Sequence, residues 1–159
     1  MHTENEIFIQ ADIADIYQLA APVERWPEIL PHYRWVHVLR DDGDRRLVEM
    51  AARRDRIPVR WRAEQRLFPE KPRITFRHVG GFTKGMEVQW VFEPTEQGGV
   101  RVAIFHDLPR LLGLPFVGDL AANRIVGPLF IKDIAGKTLR KIKELAEAEV
   151  SMGGDRGLQ

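Results

Sequence analysis

The most regular pattern in the chain lies near its C-terminal end, where apolar residues recur at steps of three and four positions. The stripe consists of Ile131, Ile134, Ala135, Thr138, Ile142, Leu145 and Ala146. Charged residues occupy the other side, so the pattern predicts an amphipathic helix over residues 129–150 with one apolar face to bury. Thr138 is the polar member of that face, and a helical threonine can bond the carbonyl one turn back.

Residues 33–108 alternate between apolar and polar positions, which predicts strands. The expected strands are 33–39, 46–54, 57–68, 73–79, 86–92 and 100–108, joined by short turns. A strand at 6–11 and two short helices at 12–20 and 23–30 precede them. This order predicts an α+β fold in which a curved, seven-stranded and largely antiparallel sheet wraps around the long C-terminal helix and leaves a cavity between them.

The strand at 57–68 shows the clearest alternation. One face carries Val59, Trp61, Ala63, Gln65 and Leu67, and the other carries Arg60, Arg62, Glu64 and Arg66. The apolar face is expected to point at the helix, and Gln65 points inward with it. The same reasoning puts Phe76, Trp90, Ile104 and His106 on inward faces. For residues 33–39 the pattern leaves open whether Tyr33, Trp35 and His37 or their neighbours face inward.

Composition excludes several classes of function. The length of 159 residues suits one domain, expected over 1–150, with a disordered tail at 151–159. A net charge of +1 argues against bulk attraction to nucleic acid or anionic membrane, and without a long apolar run we expect a cytoplasmic protein with no integral membrane association. The chain has no cysteine, and Ser151 is its only serine, which removes thiol and serine nucleophiles. The histidine spacing predicts no metal site.

Three local motifs carry a resemblance to a known family. They are VERWPEIL at 23–30, followed by Tyr33 and DDGD at 41–44; MEVQWVFEP at 86–94; and LRKIKELAE at 139–147. Together with the order of elements, they resemble the START/Bet v 1-like (SRPBCC) superfamily and, within it, the polyketide cyclase/dehydrase group, over about residues 3–149. The resemblance implies a helix-grip fold, a cavity for a hydrophobic small molecule and no cofactor.

The resemblance also implies roles for individual residues. In aromatase/cyclases a pocket tyrosine, an arginine, tryptophans and polar side chains position a poly-β-ketone. Matching by motif gives Tyr33, Trp90, His106 and Thr138 for these positions, with Gln65 at the place of the arginine. Arg66 takes that place only if a bulge shifts the strand by one residue. The catalytic candidates are Tyr33, His106 and Arg66.

The expected substrate-binding residues are Trp35, Trp61, Gln65, Phe76, Trp90, Ile104 and Thr138. Each has a simpler alternative, since inward aromatic residues often serve only as core and a buried histidine often only completes a hydrogen bond. The outward Arg60, Arg62 and Arg66 are a candidate docking face for an acyl carrier protein or phospholipid headgroups, or a solvated strand face.

Three functions stay open on these grounds. In the first two, the cavity binds a polyketide, lipid or isoprenoid-like molecule. The first is a cofactor-free cyclase, aromatase or dehydratase, and the second is a non-catalytic carrier of a lipid or quinone. The third is a macromolecular interaction module whose cavity is filled by its own side chains. Residues 109–128, which are apolar but interrupted by Gly and Pro, are expected to form part of the cavity entrance.

Overall fold

The computed structural model describes residues 1–81, 83–109 and 120–154, with side chains in the last segment from 128 to 153. In chain order the elements are β1 (His2–Ile9), α1 (Ile13–Ala20), a 3-10 turn (Val23–Arg25), α2 (Trp26–Ile29), β2 (Tyr33–Asp41), β3 (Arg45–Arg54), β4 (Ile57–Phe68), β5 (Arg73–Gly81), β6 (Glu87–Pro94), β7 (Val100–Asp107) and α3 (Leu120–Gly154). None of the helices described is long and apolar enough to cross a membrane.

The strands form one seven-stranded sheet in the order β1-β7-β6-β5-β4-β3-β2, with every neighbouring pair antiparallel. Each strand from β2 to β6 lies beside the next strand in the chain, and β1 lies beside β7. Because strands twist, a sheet of this size curls, and its concave face receives α3. The predicted helix-grip fold, with short helices after the first strand, is confirmed.

The apolar stripe of α3 holds the helix against the sheet. Ile134, Leu139, Ile142 and Ala146 are buried, and they share one core with Ile9, Val102 and Ile104 of β1 and β7. Burying one such aliphatic side chain is worth about 1.5–3 kcal/mol relative to leaving it exposed. Lys143 Nζ adds a hydrogen bond of 2.6 Å to the Phe8 carbonyl, which ties the second half of α3 to the end of β1.

Several predicted boundaries are corrected at the two ends of the chain. β1 spans His2–Ile9 instead of 6–11, because pairing with β7 continues along a stretch whose Glu4, Asn5 and Glu6 give no apolar signal. α3 begins at Leu120 instead of 129, with Pro128 inside it, because a helical proline removes one backbone bond without having to end the helix. Residues 151–154 of the predicted tail are helical. Of the predicted entrance, residues 110–119 lie outside the described residues, as do 155–159.

A bulge in β2 determines which of its residues face the interior, a question that the sequence pattern left open. The pairing of β2 with β3 shifts register between Tyr33 and Trp35, so both residues cannot point the same way. Tyr33 and Val36 are buried, whereas Trp35 stacks on His37 with ring centroids 4.5 Å apart. The phenol of Tyr33 therefore faces the interior, and Trp35 joins His37 on the outer face.

A buried polar network fastens the helical segment after β1 to the sheet. Arg46 is only 8% exposed, and its Nε and Nη2 donate to Gln65 Oε1 at 3.1 and 2.9 Å. Arg46 Nη2 also donates to the Ala21 carbonyl at 3.2 Å, to which Gln65 Nε2 donates at 2.8 Å. Arg46 Nη1 completes the network by pairing with Glu24 Oε2 at 3.0 Å. The guanidinium supplies both hydrogen bonds to Gln65 Oε1, whereas Gln65 Nε2 bonds the Ala21 carbonyl without it.

Arg46→Ala is expected to lower the free energy of unfolding by about 2–4 kcal/mol, because it leaves the buried Gln65 Oε1 without a donor and removes one of the two donors to the Ala21 carbonyl. Urea unfolding at neutral pH measures this. The matched control is Arg45→Ala, which removes an exposed arginine next to it and is expected to change stability by less than about 0.5 kcal/mol. Equal effects of the two substitutions would show that the network contributes nothing.

Candidate functional site

A cavity of about 380 Å³ lies between the concave face of the sheet and α3. Its walls come from α2, from β2 to β7 and from α3, so most elements of the fold contribute to one cavity. The apolar residues that line it are Trp26, Met50, Ile57, Pro58, Val59, Trp61, Phe76, Met86, Val88, Trp90, Ile104, Phe130, Ile131, Ile134 and Ala135. Tyr33, Arg60, His78, Thr83, His106 and Thr138 add the polar atoms. The volume falls within the range typical of small-molecule sites.

Aromatic rings in mutual contact form one wall of the cavity. Trp26 lies at its centre, with its ring centroid 4.9 Å from Tyr33, 5.8 Å from Trp90 and 6.3 Å from Phe76. Tyr33 in turn meets Trp61 edge-on at 6.2 Å. Edge-to-face and tilted contacts of this kind stabilise the rings beyond their burial. The wall therefore presents a packed apolar surface of mutually tilted rings to whatever occupies the cavity.

A hydrogen-bonded chain runs from the cavity through Thr138 to a half-buried histidine. Thr138 lines the cavity together with Tyr33, and His32 Nε2 lies 2.8 Å from Thr138 Oγ1. The Thr138 hydroxyl donates its proton to the Ile134 carbonyl at 2.9 Å. Because that proton is used, the arrangement assigns the His32 proton to Nε2, which donates to Thr138. Thr138 is thus the junction of the chain.

A second set of polar residues lies at one end of the cavity, where β5 and β7 supply the wall. His78 Nδ1 is 2.5 Å from Thr83 Oγ1, and the His78 ring stacks on Trp61 with an interplanar angle of 3°. His106 lines the same cavity, and its Nδ1 is buried with no hydrogen-bond partner among the residues described. The two imidazoles are close enough that the charge on one disfavours the charge on the other.

The histidines and the tyrosine of the site are held in their neutral forms. Burial lowers the pKa of His78 to about 3 and that of His106 to about 4. Burial, with the Lys137 charge adding to it, lowers the pKa of His32 to about 4. Burial also raises the pKa of Tyr33 above its usual range, and the Thr138 side chain opposes this. The cavity therefore offers neutral hydrogen-bonding groups to a ligand and no buried counter-charge.

Most of the residues assigned from the sequence meet at this cavity. Those that line it are Tyr33, Trp61, Phe76, Trp90, Ile104, His106 and Thr138. Trp35, Gln65 and Arg66 are absent from its walls. Within 1–81, 83–109 and the described side chains of α3, no group of three or more His, Asp and Glu residues is arranged to hold a metal ion.

The three residues that do not reach the cavity fail for different reasons. Trp35 is turned outward by the bulge in β2. Gln65 points inward as expected, but its amide is used by Arg46 and the Ala21 carbonyl. Arg66 is exposed with its guanidinium 5.3 Å from the Phe68 ring, because β4 pairs with β3 without the bulge that would turn Arg66 inward.

Reasoning from sequence missed four polar or aromatic residues of the site: Trp26, His32, His78 and Thr83. His78 was accessible to it, because it follows Phe76 by two positions on a strand whose inward face was assigned. Trp26 lies in a helix of four residues, too short to show an apolar period. His32 precedes β2 and Thr83 follows β5, outside any periodic segment.

The neutral histidines make stability depend on pH in a defined direction. The unfolded chain binds protons near pH 6.5 and the folded His78 and His106 do not, so stability is complete above 6.5 and is lost as the pH falls towards about 4. We expect a loss on the order of 2 kcal/mol for each of the two between pH 7 and pH 5. Urea unfolding at both pH values measures this. His78→Gln with His106→Gln should reduce the dependence without removing it, because His32 keeps its own lowered pKa. An unchanged slope in that variant would contradict the assignment.

Comparison with known proteins places the chain in a family. Residues 9–129 match the family described as polyketide cyclase/dehydrase and lipid transport. A Streptomyces halstedii protein named "Putative polyketide cyclase" is 30% identical over 101 residues, which are 61% of this chain and 92% of that protein.

Solved structures share the fold at lower identity. TTHA0849 from Thermus thermophilus has a TM-score of 0.79 at 23% identity, over 94% of this chain and 99% of that one. The Zhui aromatase/cyclase from Streptomyces sp. R1128 has a TM-score of 0.73 at 16% identity, over 94% of this chain and 95% of that one. Since the family match spans most of the chain, this protein belongs to the polyketide cyclase/dehydrase and lipid transport family.

Proposed function

We propose that the protein binds a neutral, hydrophobic small molecule of polyketide or isoprenoid type in the cavity between sheet and α3. The observation that carries this proposal is the lining of the cavity, in which an aromatic wall faces aliphatic side chains of α3. The wall consists of Trp26, Tyr33, Trp61, Phe76 and Trp90. Such a surface gains free energy by removing apolar area from water, and flat rings favour flat ligands.

The polar groups narrow the chemistry of the ligand. A charged group in the buried part of the cavity would lose its hydration and find neutral partners, because His78, His106 and Tyr33 are uncharged at neutral pH. Arg60, which also lines the cavity, is exposed to solvent. Ketone, quinone and phenol oxygens suit these partners, since a neutral imidazole or phenol both donates and accepts hydrogen bonds. We therefore favour an oxygenated apolar molecule over a phospholipid headgroup as the part that enters.

Replacing one ring of the wall tests the binding function. Trp90→Ala is expected to weaken the binding of an apolar fluorescent naphthalene dye at least tenfold, because it removes a buried contact surface. Isothermal titration calorimetry measures the affinity. Trp35→Ala is the matched control: it removes a tryptophan that stacks outside the cavity on His37, and should leave dye affinity within about twofold. Equal losses in the two variants would count against the cavity as the binding site.

A second candidate function is cyclisation or dehydration of a poly-β-ketone, and the arrangement of Tyr33, Thr138 and His32 favours it. In this proposal the neutral His106 removes a proton from the carbon between two ketones. Tyr33, protonated at neutral pH, donates a hydrogen bond to the enolate oxygen that forms. The carbanion attacks a second ketone, and the alkoxide that forms takes the proton from His106 and becomes a hydroxyl. His106 then removes the second proton from the attacking carbon and passes it to that hydroxyl, which leaves as water while a carbon–carbon double bond forms. Arg66 has no role in this scheme, because it is exposed.

The cyclase proposal makes its own prediction at Tyr33. Tyr33→Phe keeps the ring in the wall and is expected to lower turnover of an enzymatically generated poly-β-ketone by about 10²–10⁴-fold, with ligand affinity changed by less than about threefold. His32→Gln should lower turnover less and alter its pH profile. His106→Ala should abolish turnover in an enzyme, yet change little in a carrier. If the wild-type protein binds the ketone but never converts it, the cyclase proposal is wrong and only the carrier function stands.

Two further expectations have different support. An interaction module was expected to fill its cavity with its own side chains, and the open volume of about 380 Å³ does not favour it. Docking of an acyl carrier protein at Arg60, Arg62 and Arg66 stays a prediction. All three arginines are exposed, although Arg60 also borders the cavity and Arg62 already pairs with Glu49 at 2.6 Å.

A further inference from the structure

One side of the cavity opens between the β3–β4 hairpin and α3. Ile57 and Pro58, which begin β4, line the cavity and are exposed to solvent as well. Arg54, which ends β3, reaches Asp133 of α3 with its Nε 3.7 Å from the carboxylate. That ion pair fixes the tip of the hairpin beside the α3 segment around residue 133. We call the surface formed by residues 53–60 and 129–133 the cavity rim.

Two large aliphatic side chains protrude from the cavity rim into solvent. Ile57 is 54% exposed on the hairpin, and Leu129 is 54% exposed on α3. Leu129 lies one helical turn before Asp133 and so shares the helix face that meets Arg54. Ile57 borders the cavity directly, whereas Leu129 lies outside it, on the other side of the ion pair that joins the hairpin to α3. Isolated exposed leucines need no explanation, but two exposed aliphatic side chains beside the same ion pair near the opening of an apolar cavity do.

The cavity rim is also basic, although the whole chain carries a formal charge of only +1. Its exposed cations are Arg53, Arg56, Arg60 and Lys132. Its acidic residues are Asp55 and Asp133, and Asp133 is already neutralised by Arg54 and by Lys137 at 2.9 Å. A local excess of positive charge thus surrounds the two aliphatic side chains. The bulk charge that argued against attraction to anionic surfaces does not describe this part of the molecule.

We propose that the cavity rim docks on the surface of an anionic lipid bilayer, with Ile57 and Leu129 entering the acyl boundary and the surrounding cations meeting the headgroups. Two protruding aliphatic side chains suit insertion into a fluid interface, and cations suit negatively charged lipids. The inference rests on the proposed binding function and extends it, because a docked rim opens the cavity directly to molecules dissolved in the membrane.

Vesicle co-sedimentation tests the proposal. The full chain is mixed with vesicles of phosphatidylcholine alone or with about a third of phosphatidylserine, at low and at physiological salt. The expected result is binding that requires phosphatidylserine and weakens with salt. Arg56→Glu with Lys132→Glu should weaken it more than tenfold, because each cation near an anionic surface adds to the affinity. Neither side chain makes an ion pair or hydrogen bond within the residues described, so folding should be preserved.

Matched controls separate the cavity rim from charge and hydrophobicity in general. Arg45→Glu with Arg77→Glu changes the net charge equally at exposed positions away from the rim and should bind vesicles almost as the wild type does. Ile57→Ser with Leu129→Ser should weaken binding, whereas Val38→Ser with Leu39→Ser, which are also exposed, should not. Equal losses in rim and control variants would overturn the proposal.

Two outcomes distinguish failure of the membrane-docking proposal from failure of the proposed ligand-binding function. Wild-type protein that takes up the naphthalene dye but ignores every vesicle overturns docking and leaves the binding function standing. Protein that binds vesicles but no apolar ligand overturns the binding function instead. If the rim variants lose affinity for an acidic protein and the wild type never bound phosphatidylserine, the surface serves a protein partner and the membrane proposal is wrong.

Discussion

The burial of one helix face sets the architecture of this protein. The apolar stripe of α3 has to leave water, and the inner face of the sheet is the apolar surface that receives it. A twisted sheet curls around a helix but does not follow it closely along its whole length. Where Ile142 and Ala146 meet β1 the contact is complete, and around Phe130 to Thr138 it opens into a cavity of about 380 Å³.

Desolvation in that cavity determines its chemistry. The same enclosure that keeps the aromatic wall dry lowers the pKa of His78 and His106 and raises that of Tyr33. Each group is therefore neutral at neutral pH, ready to share a proton or a hydrogen bond but unable to pair with an ion. Strong acid chemistry and recognition of charged groups inside the cavity are disfavoured for the same reason. Charge lies instead outside, on arginines of the outer sheet face and of the cavity rim.

Local pattern predicted the elements well, because alternation and helical period are properties of neighbouring residues. β4 spans Ile57–Phe68 as its alternation predicted, and every inward residue assigned on β5, β6 and β7 is buried. The face of β2 could not be predicted, since a single bulge after Tyr33 reverses it. The start of α3 was missed because Gly and Pro interrupt its first turns, which local rules treat as a loop.

Contacts between distant parts of the chain could not be predicted from the sequence either. The residues next to Gln65 in the sequence do not predict that Arg46 will bond to its amide. The bond between His32 and Thr138 joins residues 106 positions apart.

The most direct test of the central claim is native mass spectrometry of the protein purified from its own host, followed by extraction and identification of whatever is bound. The account predicts a mass above that of the bare chain and a single class of neutral, oxygenated, apolar molecule in the extract. Protein that arrives empty, and whose cavity also takes up no apolar dye, would contradict it.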